Sequence, residues 1–260
     1  LVIKIVIFFI AGILMIYNFS TNRFNGGRNE IVGGLTFENF QYDSEELVLN
    51  KIQSDKDGLP KDFYGLTVET NKEESNEKYE SYISQVGMQG HIASLLHNKF
   101  QISIKGLEFI NILLLTIILV LISDELSKKF GKLFGFITYN VFLFSPWICA
   151  FASNLYWVEF TWFLPMLFGL KLLNNYDKWK IYIPLIFVSI MMKCLCGYEY
   201  ITVIMLSVII FMIYDLIFAK NKEKRIFILK KCIWVGCSAL LGFIVVLLIH
   251  SGIRGDGNIV

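Results

Sequence analysis

The chain has 260 residues, of which 55% are hydrophobic and 15% aromatic, and its mean hydropathy is +0.57. Soluble domains hold roughly 45–50% apolar residues even with glycine counted, so an ordinary soluble globule is excluded. The net charge of +2 carries no field for a nucleic acid partner, and the basic clusters sort by membrane side instead.

A membrane-spanning helix needs about 20 mostly apolar residues. The first such run is "VIKIVIFFIAGILMIY", roughly residues 2–17. No small-residue cleavage site of the A-x-A kind follows it, so the reading is a retained anchor rather than a removed signal. The chain opens on Leu1 and stops at "RGDGNIV", and the expectation is a fragment of a longer protein.

Residues 18–103 form the one sizeable polar region and hold thirteen of the twenty-two acidic residues. Its early part, "NGGRNEIVGG", lacks the strand–helix context of a phosphate-binding turn. Two helices are expected in this loop. "DSEELVLNKI" (43–52) starts with a cap signal and acids in its first turn. "EKYESYISQVGMQGHIASLLHNKF" (77–100) places apolar residues at three-to-four spacing, with Gly87 and Gly90 expected to break it. An amphipathic helix beside a span lies in the interface, apolar face down. "KDGLPKDFYG" and "ETNKEESNEK" read as solvated turns.

Six further spans follow, at roughly 104–123, 133–152, 157–174, 181–196, 199–218 and 232–250. Pro146, Pro165 and Pro184 fall within them and are expected to kink them. The fold class is therefore all-α: a polytopic transmembrane helical bundle of about seven spans with a long first extracytoplasmic loop. The domains are span 1–17, loop 18–103, six-helix region 104–250 and the start of a second outer segment at 251–260.

Lysine and arginine set the orientation, because they concentrate in cytoplasmic loops. "DELSKKFGK" (124–132) and "KLLNNYDKWK" (171–180) carry three lysines each, and "AKNKEKRIFILKK" (219–231) carries six basic residues. The intervening turns at 153–156 and 196–199 carry none. The first loop and the tail then lie outside the cytoplasm.

The five cysteines, at 149, 194, 196, 232 and 237, fall in or beside apolar runs and read as membrane-core residues rather than a disulfide framework. His91 and His97 show no metal spacing, so no zinc site is assigned. His91 reads as an interfacial polar residue.

An ionisable group at mid-membrane costs roughly 2.5–3.5 kcal/mol on insertion scales, and less near helix ends. Glu159 lies in the first turn of the fourth span, Lys193 in the last turn of the fifth, and Glu199 opens the sixth. Arg254 and Asp256 follow the seventh. All belong to one membrane face and are expected to line one outward cavity. Each singly also fits ordinary helix-end snorkelling. Glu108 and Asp215 are read as plain helix-end charges. In the outer loop Asp43, Glu45 and Glu46 stand within four residues, with Asp43 and Glu46 at helical i, i+3 spacing. Neighbouring acids raise one another's affinity for protons, which suits a general base.

A first span followed by a long outer loop with an acidic motif, then hairpins with short outer turns, resembles the GT-C superfamily of glycosyltransferases. "YDSEELVLNKI" matches the segment in which that group carries its catalytic acid, although Ser44 interrupts the usual Asp-Glu pair. "YISQVGMQGHI", "NLYWVEFTWFLP" and "CGYEYIT" resemble segments of bacterial multi-pass proteins of this kind. The resemblance implies a bacterial cell-membrane enzyme that moves sugar from a polyprenyl-phosphate donor to an extracytoplasmic glycan or lipid acceptor. Asp43 would be the base, with Glu45 or Glu46 the second acid. Lys193 and Arg254 would neutralise the departing lipid phosphate, while Glu159 and Glu199 orient Lys193 or bind sugar hydroxyls. Tyr156, Trp157, Tyr198 and Tyr200 would stack on a sugar or hold the lipid neck. The acids permit a divalent metal ion without requiring one. The alternatives are a lipid-linked polysaccharide flippase or transporter, disfavoured by charges at helix ends rather than mid-membrane, and a non-enzymatic scaffold.

Overall fold

The computed structural model describes residues 2–21, 31–32, 35–58, 63–70 and 78–255. The described chain is nearly all helix. Helix α1 spans Val2–Thr21, α2 Phe37–Lys56, α3 Met88–Phe100, α4 Ile104–Phe130, α5 Lys132–Phe144 and α6 Pro146–Phe151. Helix α7 spans Phe160–Asn174, α8 Trp179–Cys196, α9 Ile201–Ile217 and α10 Lys222–Arg254, with a single 3-10 turn at Tyr176–Lys178. Two small antiparallel ladders join β1 (Ile31–Val32) to β2 (Leu35–Thr36) and β3 (Thr67–Glu69) to β4 (Tyr79–Ser81).

Among the described residues, four helical segments are long and apolar enough to cross a membrane: Ile3–Thr21, Ile104–Phe130, Tyr176–Cys196 and Lys222–Arg254. Helices α5, α7 and α9 are apolar but shorter. The expected span at 133–152 is two helices, not one kinked helix. Ser145 is extended and accepts the Ile148 N–H, and Pro146 takes the first position of α6. Proline needs no N–H partner there, so it starts a helix instead of bending one. Pro165 and Pro184 do lie inside helices, α7 and α8.

The polar segment 18–103 departs from expectation in its second half. Residues 79–81 form a strand, and helix begins only at Met88. Gly87 ends the irregular stretch with φ of 73°, a left-handed conformation that glycine adopts without strain. Close approach explains a second glycine. A Cβ on Gly90 would stand 1.6 Å from the Gly65 carbonyl oxygen, so the irregular 64–66 segment before β3 lies directly on the first turn of α3. The expected helix at 43–52 is present and longer, as α2. Most of the two expected solvated turns, 59–62 and 71–77, lies outside the described residues.

The chain divides into two compact units. Unit 1 comprises Leu1–Ile117, Asn140–Phe160 and Leu195–Gly197, and unit 2 comprises Ile118–Tyr139, Thr161–Cys194 and Tyr198–Val260. The core of unit 1 gathers Val48, Ile52, Leu66, Ala93, Leu107 and Leu155 from α2, α3, α4 and the turn after α6. Unit 2 is helix on helix. A Cβ on Gly169 of α7 would meet the Val208 carbonyl oxygen of α9 at 2.5 Å, and one on Gly242 of α10 would meet the Phe187 carbonyl oxygen of α8 at 2.8 Å. No disulfide joins the cysteines: three are buried, Cys232 is half-buried and Cys237 is exposed on α10.

Candidate functional site

Five of the nine sequence-designated residues belong to unit 1. Asp43 lies in α2, but its side chain lies outside the described residues. Glu45, two residues on, turns its Oε1 to the backbone N–H of Leu155 at 2.9 Å. Glu46 is exposed on the same helix. Tyr156 is buried at the edge of the unit 1 core, its ring edge-on to Trp157.

The 152–159 turn that carries Tyr156 and Glu159 is irregular backbone amid apolar side chains, so its peptide groups must find partners there. They find them in amides. Asn154 Oδ1 accepts the N–H groups of Tyr156 and Trp157 at 2.9 and 3.1 Å. Asn111 of α4 donates to the Asn154 carbonyl at 3.1 Å. Gln89 of α3 donates to the carbonyls of Tyr156 and Cys196 at 3.1 and 2.8 Å. Asn18 of α1 donates to the Leu143 carbonyl, fixing the end of α5. Sequence reading missed all four. The available signal was polar amides inside apolar runs, as in "MIYNFS" and "EFINIL".

Glu159 closes this turn, immediately before α7 rather than in its first turn. It is 3% exposed, and among the described residues its Oε2 has no hydrogen-bond partner. The preceding residue, Val158, holds φ of 38°, which is strained for a β-branched residue. A buried carboxyl costs several kcal/mol, on the order of 2–7, unless something compensates it. Strain and an uncompensated acid at consecutive positions mark this turn as more than a connector.

The other four residues belong to unit 2. Lys193, in the last turn of α8, is only 2% exposed. Its Nζ donates to Glu199 Oε2 at 3.4 Å and lies 5.9 Å from the centre of the Trp162 ring. Trp162 in turn packs on Tyr200 at 5.0 Å. Glu199 lies in the α8–α9 turn rather than in α9, and Tyr200 holds φ of 59° there. Tyr198 is stacked on His250 of α10, its hydroxyl 3.1 Å from Nδ1. Burial pushes the Tyr198 phenol up to about 12, so it stays protonated at neutral pH. Arg254 is the last residue of α10 and is exposed, and Asp256 lies outside the described residues. The unit therefore brings together a buried cation, its carboxylate and an aromatic wall, with Tyr198 and His250 a separate stacked pair. His250 was not designated from the sequence.

Asp215, read as a plain helix-end charge, also has partners: it pairs with Lys129 and accepts from the Tyr176 hydroxyl. Glu125, buried in α4, receives Lys128 at 2.7 Å, Asn174 at 2.7 Å and Lys171 at 3.5 Å. His91 Nε2 is 3.2 Å from the Phe63 carbonyl, and His97 Nδ1 is 2.9 Å from that of Ile102. Among the described residues no three His, Cys, Asp or Glu side chains converge as a metal site. The chain matches no protein-family model, no curated protein and no solved structure.

Proposed function

We propose that the chain is an integral membrane glycosyltransferase of the GT-C kind, which moves a sugar from a polyprenyl-phosphate donor to an acceptor outside the cytoplasm. Seven spans are proposed: α1, α4, α5 with α6, α7, α8, α9 and α10. The lysine-rich turns then face the cytoplasm and the 152–159 and 197–200 turns face outward. The observation that carries the reading is Lys193. A lysine that is 2% exposed, held by Glu199 and faced by Trp162, is a dry, preorganised positive charge at a helix end. Such a charge stabilises negative charge as it develops, and a phosphate leaving a sugar develops it.

In this reading Asp43 deprotonates the acceptor hydroxyl or amine. That nucleophile attacks the anomeric carbon, the carbon–oxygen bond to the lipid phosphate breaks, and the phosphate departs with the electron pair; Lys193 and Arg254 are the cations that the resemblance assigns to it. Glu199 positions Lys193. Glu45, already committed to the Leu155 N–H, holds α2 against the 154–157 turn rather than taking a proton. Glu159 and Tyr156 belong to the sugar-facing part of the proposal.

The test is transfer of radiolabelled sugar from a short-chain polyprenyl-phosphate sugar by the full chain in proteoliposomes. Asp43→Asn and Lys193→Ala are each expected to lower the rate by two orders of magnitude or more at unchanged expression. Transfer by both variants at the normal rate, or no transfer by the unaltered chain with any such donor, removes the reading and leaves a scaffold or transporter.

A further inference from the structure

Helices α8 and α10 run side by side in register. Lys231 lies over Trp179, the Ser238 hydroxyl donates to the Ile183 carbonyl at 2.9 Å, and Gly242 meets Phe187. Two features follow one another along this seam.

At its start is a cationic aromatic cluster. Lys231 Nζ stands 4.0 Å from the centre of the Trp179 ring and 5.4 Å from that of Phe227. Lys180 Nζ stands 5.9 Å from the same tryptophan. Tyr176 packs edge-on to Phe227. Lys224 is seven residues before Lys231, hence on the same face of α10, and it is exposed, as is Lys180. Among the described residues no carboxylate lies within ion-pair distance of Lys180, Lys224 or Lys231.

One to two turns further along lies an open groove of about 370 Å³, lined by Ile183, Pro184, Phe187, Trp234, Cys237 and Leu241, together with Ser238. Ser238 is the one hydroxyl in that lining, and it is spent on the Ile183 carbonyl. The groove therefore offers nothing to a polar ligand.

The depth of each feature follows from α10 itself. Residues 232–249 carry no charge, a length of about 27 Å at 1.5 Å per residue, close to the roughly 30 Å of a hydrocarbon core. Lys231 thus sits at the boundary, with Trp179 beside it at the depth where tryptophan belongs. The groove begins just inside the hydrocarbon layer, and residues 222–230 project into the headgroup region and beyond.

We infer that the α8–α10 seam binds one anionic glycerophospholipid, its phosphate held by Lys231, Lys180 and Lys224 and an acyl chain lying in the Ile183–Leu241 groove. Charge complementarity selects the occupant. Three lysines with no carboxylate in ion-pair contact, and the single charge of Asp177 acting on Lys231 from further off, stand at headgroup depth, directly above an apolar trough that points along the chain direction of a lipid. A zwitterionic lipid fills the trough but gives the lysines no net charge, and a soluble phosphate ester leaves the trough empty. Each lysine near an anionic surface contributes about a fivefold preference. The inference rests on the proposed membrane placement and not on the sugar-transfer reading.

The experiment uses the full chain in neutral detergent, after showing that detergent but not alkaline carbonate releases it from membranes. Release by carbonate overturns both the membrane placement and the lipid site. Binding of radiolabelled phosphatidylglycerol is then compared with that of phosphatidylcholine, with glycerol 1-phosphate as competitor. The expected result is at least a tenfold preference for phosphatidylglycerol that collapses at high salt and is unaffected by glycerol phosphate. Lys180→Gln with Lys231→Gln is expected to erase most of that preference while phosphatidylcholine binding holds. Cys237→Trp, which fills the groove from an exposed position, is expected to weaken both lipids together. Equal binding of the two lipids by the unaltered chain, a preference that survives the double variant or high salt, or displacement by glycerol phosphate, overturns the inference. If the double variant does not fold, the salt dependence and Cys237→Trp still decide it.

Discussion

The two units solve one problem, polar groups in an apolar setting, by different means. Unit 1 contains irregular backbone at 152–159 and satisfies it with neutral amides from Gln89, Asn111 and Asn154, while Asn18 serves the Leu143 carbonyl at the end of α5. Unit 2 has almost no irregular backbone and ties helix ends with charges: Lys193 to Glu199, Lys129 to Asp215, and three donors on Glu125. The difference follows from desolvation. An amide donates without a net charge to strip of water, whereas an ion pair costs several kcal/mol per ion unless water reaches it. The unit 2 partners keep that contact: Lys128 is 45% exposed and Glu199 30%. Lys193 breaks the pattern, which is why it carries the functional reading.

The comparison breaks most easily at Gly90. A methyl there meets the Gly65 carbonyl at 1.6 Å, and backbone has no rotamer to escape by. Gly90→Ala is expected to cost about 3 kcal/mol or more, at the upper end for overpacking. Proteolysis of the purified chain should open unit 1 first. An unchanged unfolding midpoint would show that the amide-held unit is looser than described.

Second in size is Gln89→Ala. It strips the donor from two buried carbonyls, each left unmade at about 1 kcal/mol or more, for a loss of about 2 kcal/mol in thermal unfolding. The counterpart in unit 2, Asn174→Ala, takes its donor from the Glu125 carbonyl and Oε2, but Lys128 and Lys171 remain on the other oxygen of that carboxylate. About 1 kcal/mol is expected there. Equal losses would erase the contrast between an amide network without spares and a charge cluster with them.

These four amides also mark where sequence reading ran out. Apolar periodicity made the helices legible, and the run at 104–123 foretold α4 well, because burial in lipid or core demands little beyond composition. The strand at Tyr79–Ser81 did not show, since Tyr79, Ile83 and Val86 recur at helical spacing while the pairing that makes 79–81 a strand comes from Thr67–Glu69, outside that stretch. Ser145-Pro146 was legible as a cap and was read as a kink, because the surrounding run looked continuous. For the site, charged and aromatic residues were designated from the sequence, whereas the neutral amides and His250 were not. A lysine in an apolar run announces its cost, but Gln89 and His250 do not, and their partners are backbone carbonyls or a tyrosine no spacing rule connects to them.

Third comes Glu199→Gln. It leaves Lys193 without its carboxylate charge but keeps a hydrogen-bonding oxygen at the same place. Because Glu199 is 30% exposed, the loss is expected near 1 kcal/mol rather than the 3–5 of a fully buried pair. If sugar transfer is the function, the rate should fall far more than this stability change accounts for. A rate that tracks stability alone makes Glu199 a structural counter-ion.

The smallest effect lies within α10 and asks whether the helix–helix packing of unit 2 is as position-specific as described. A Cβ on Gly236 meets nothing within 4 Å, whereas one on Gly242 reaches the Phe187 carbonyl at 2.8 Å. In water an open helical glycine replaced by alanine gains up to about 1 kcal/mol, and an apolar surround should reduce that to a few tenths. Gly236→Ala should therefore raise the unfolding midpoint slightly, and Gly242→Ala should lower it by forcing α10 away from α8. The sign, not the size, is the test. Two substitutions six residues apart on one helix, identical in propensity, can differ in sign only if one of them faces α8. If both raise the midpoint, α10 is not seated on α8 along that seam, and the register that places Lys231 above the groove goes with it.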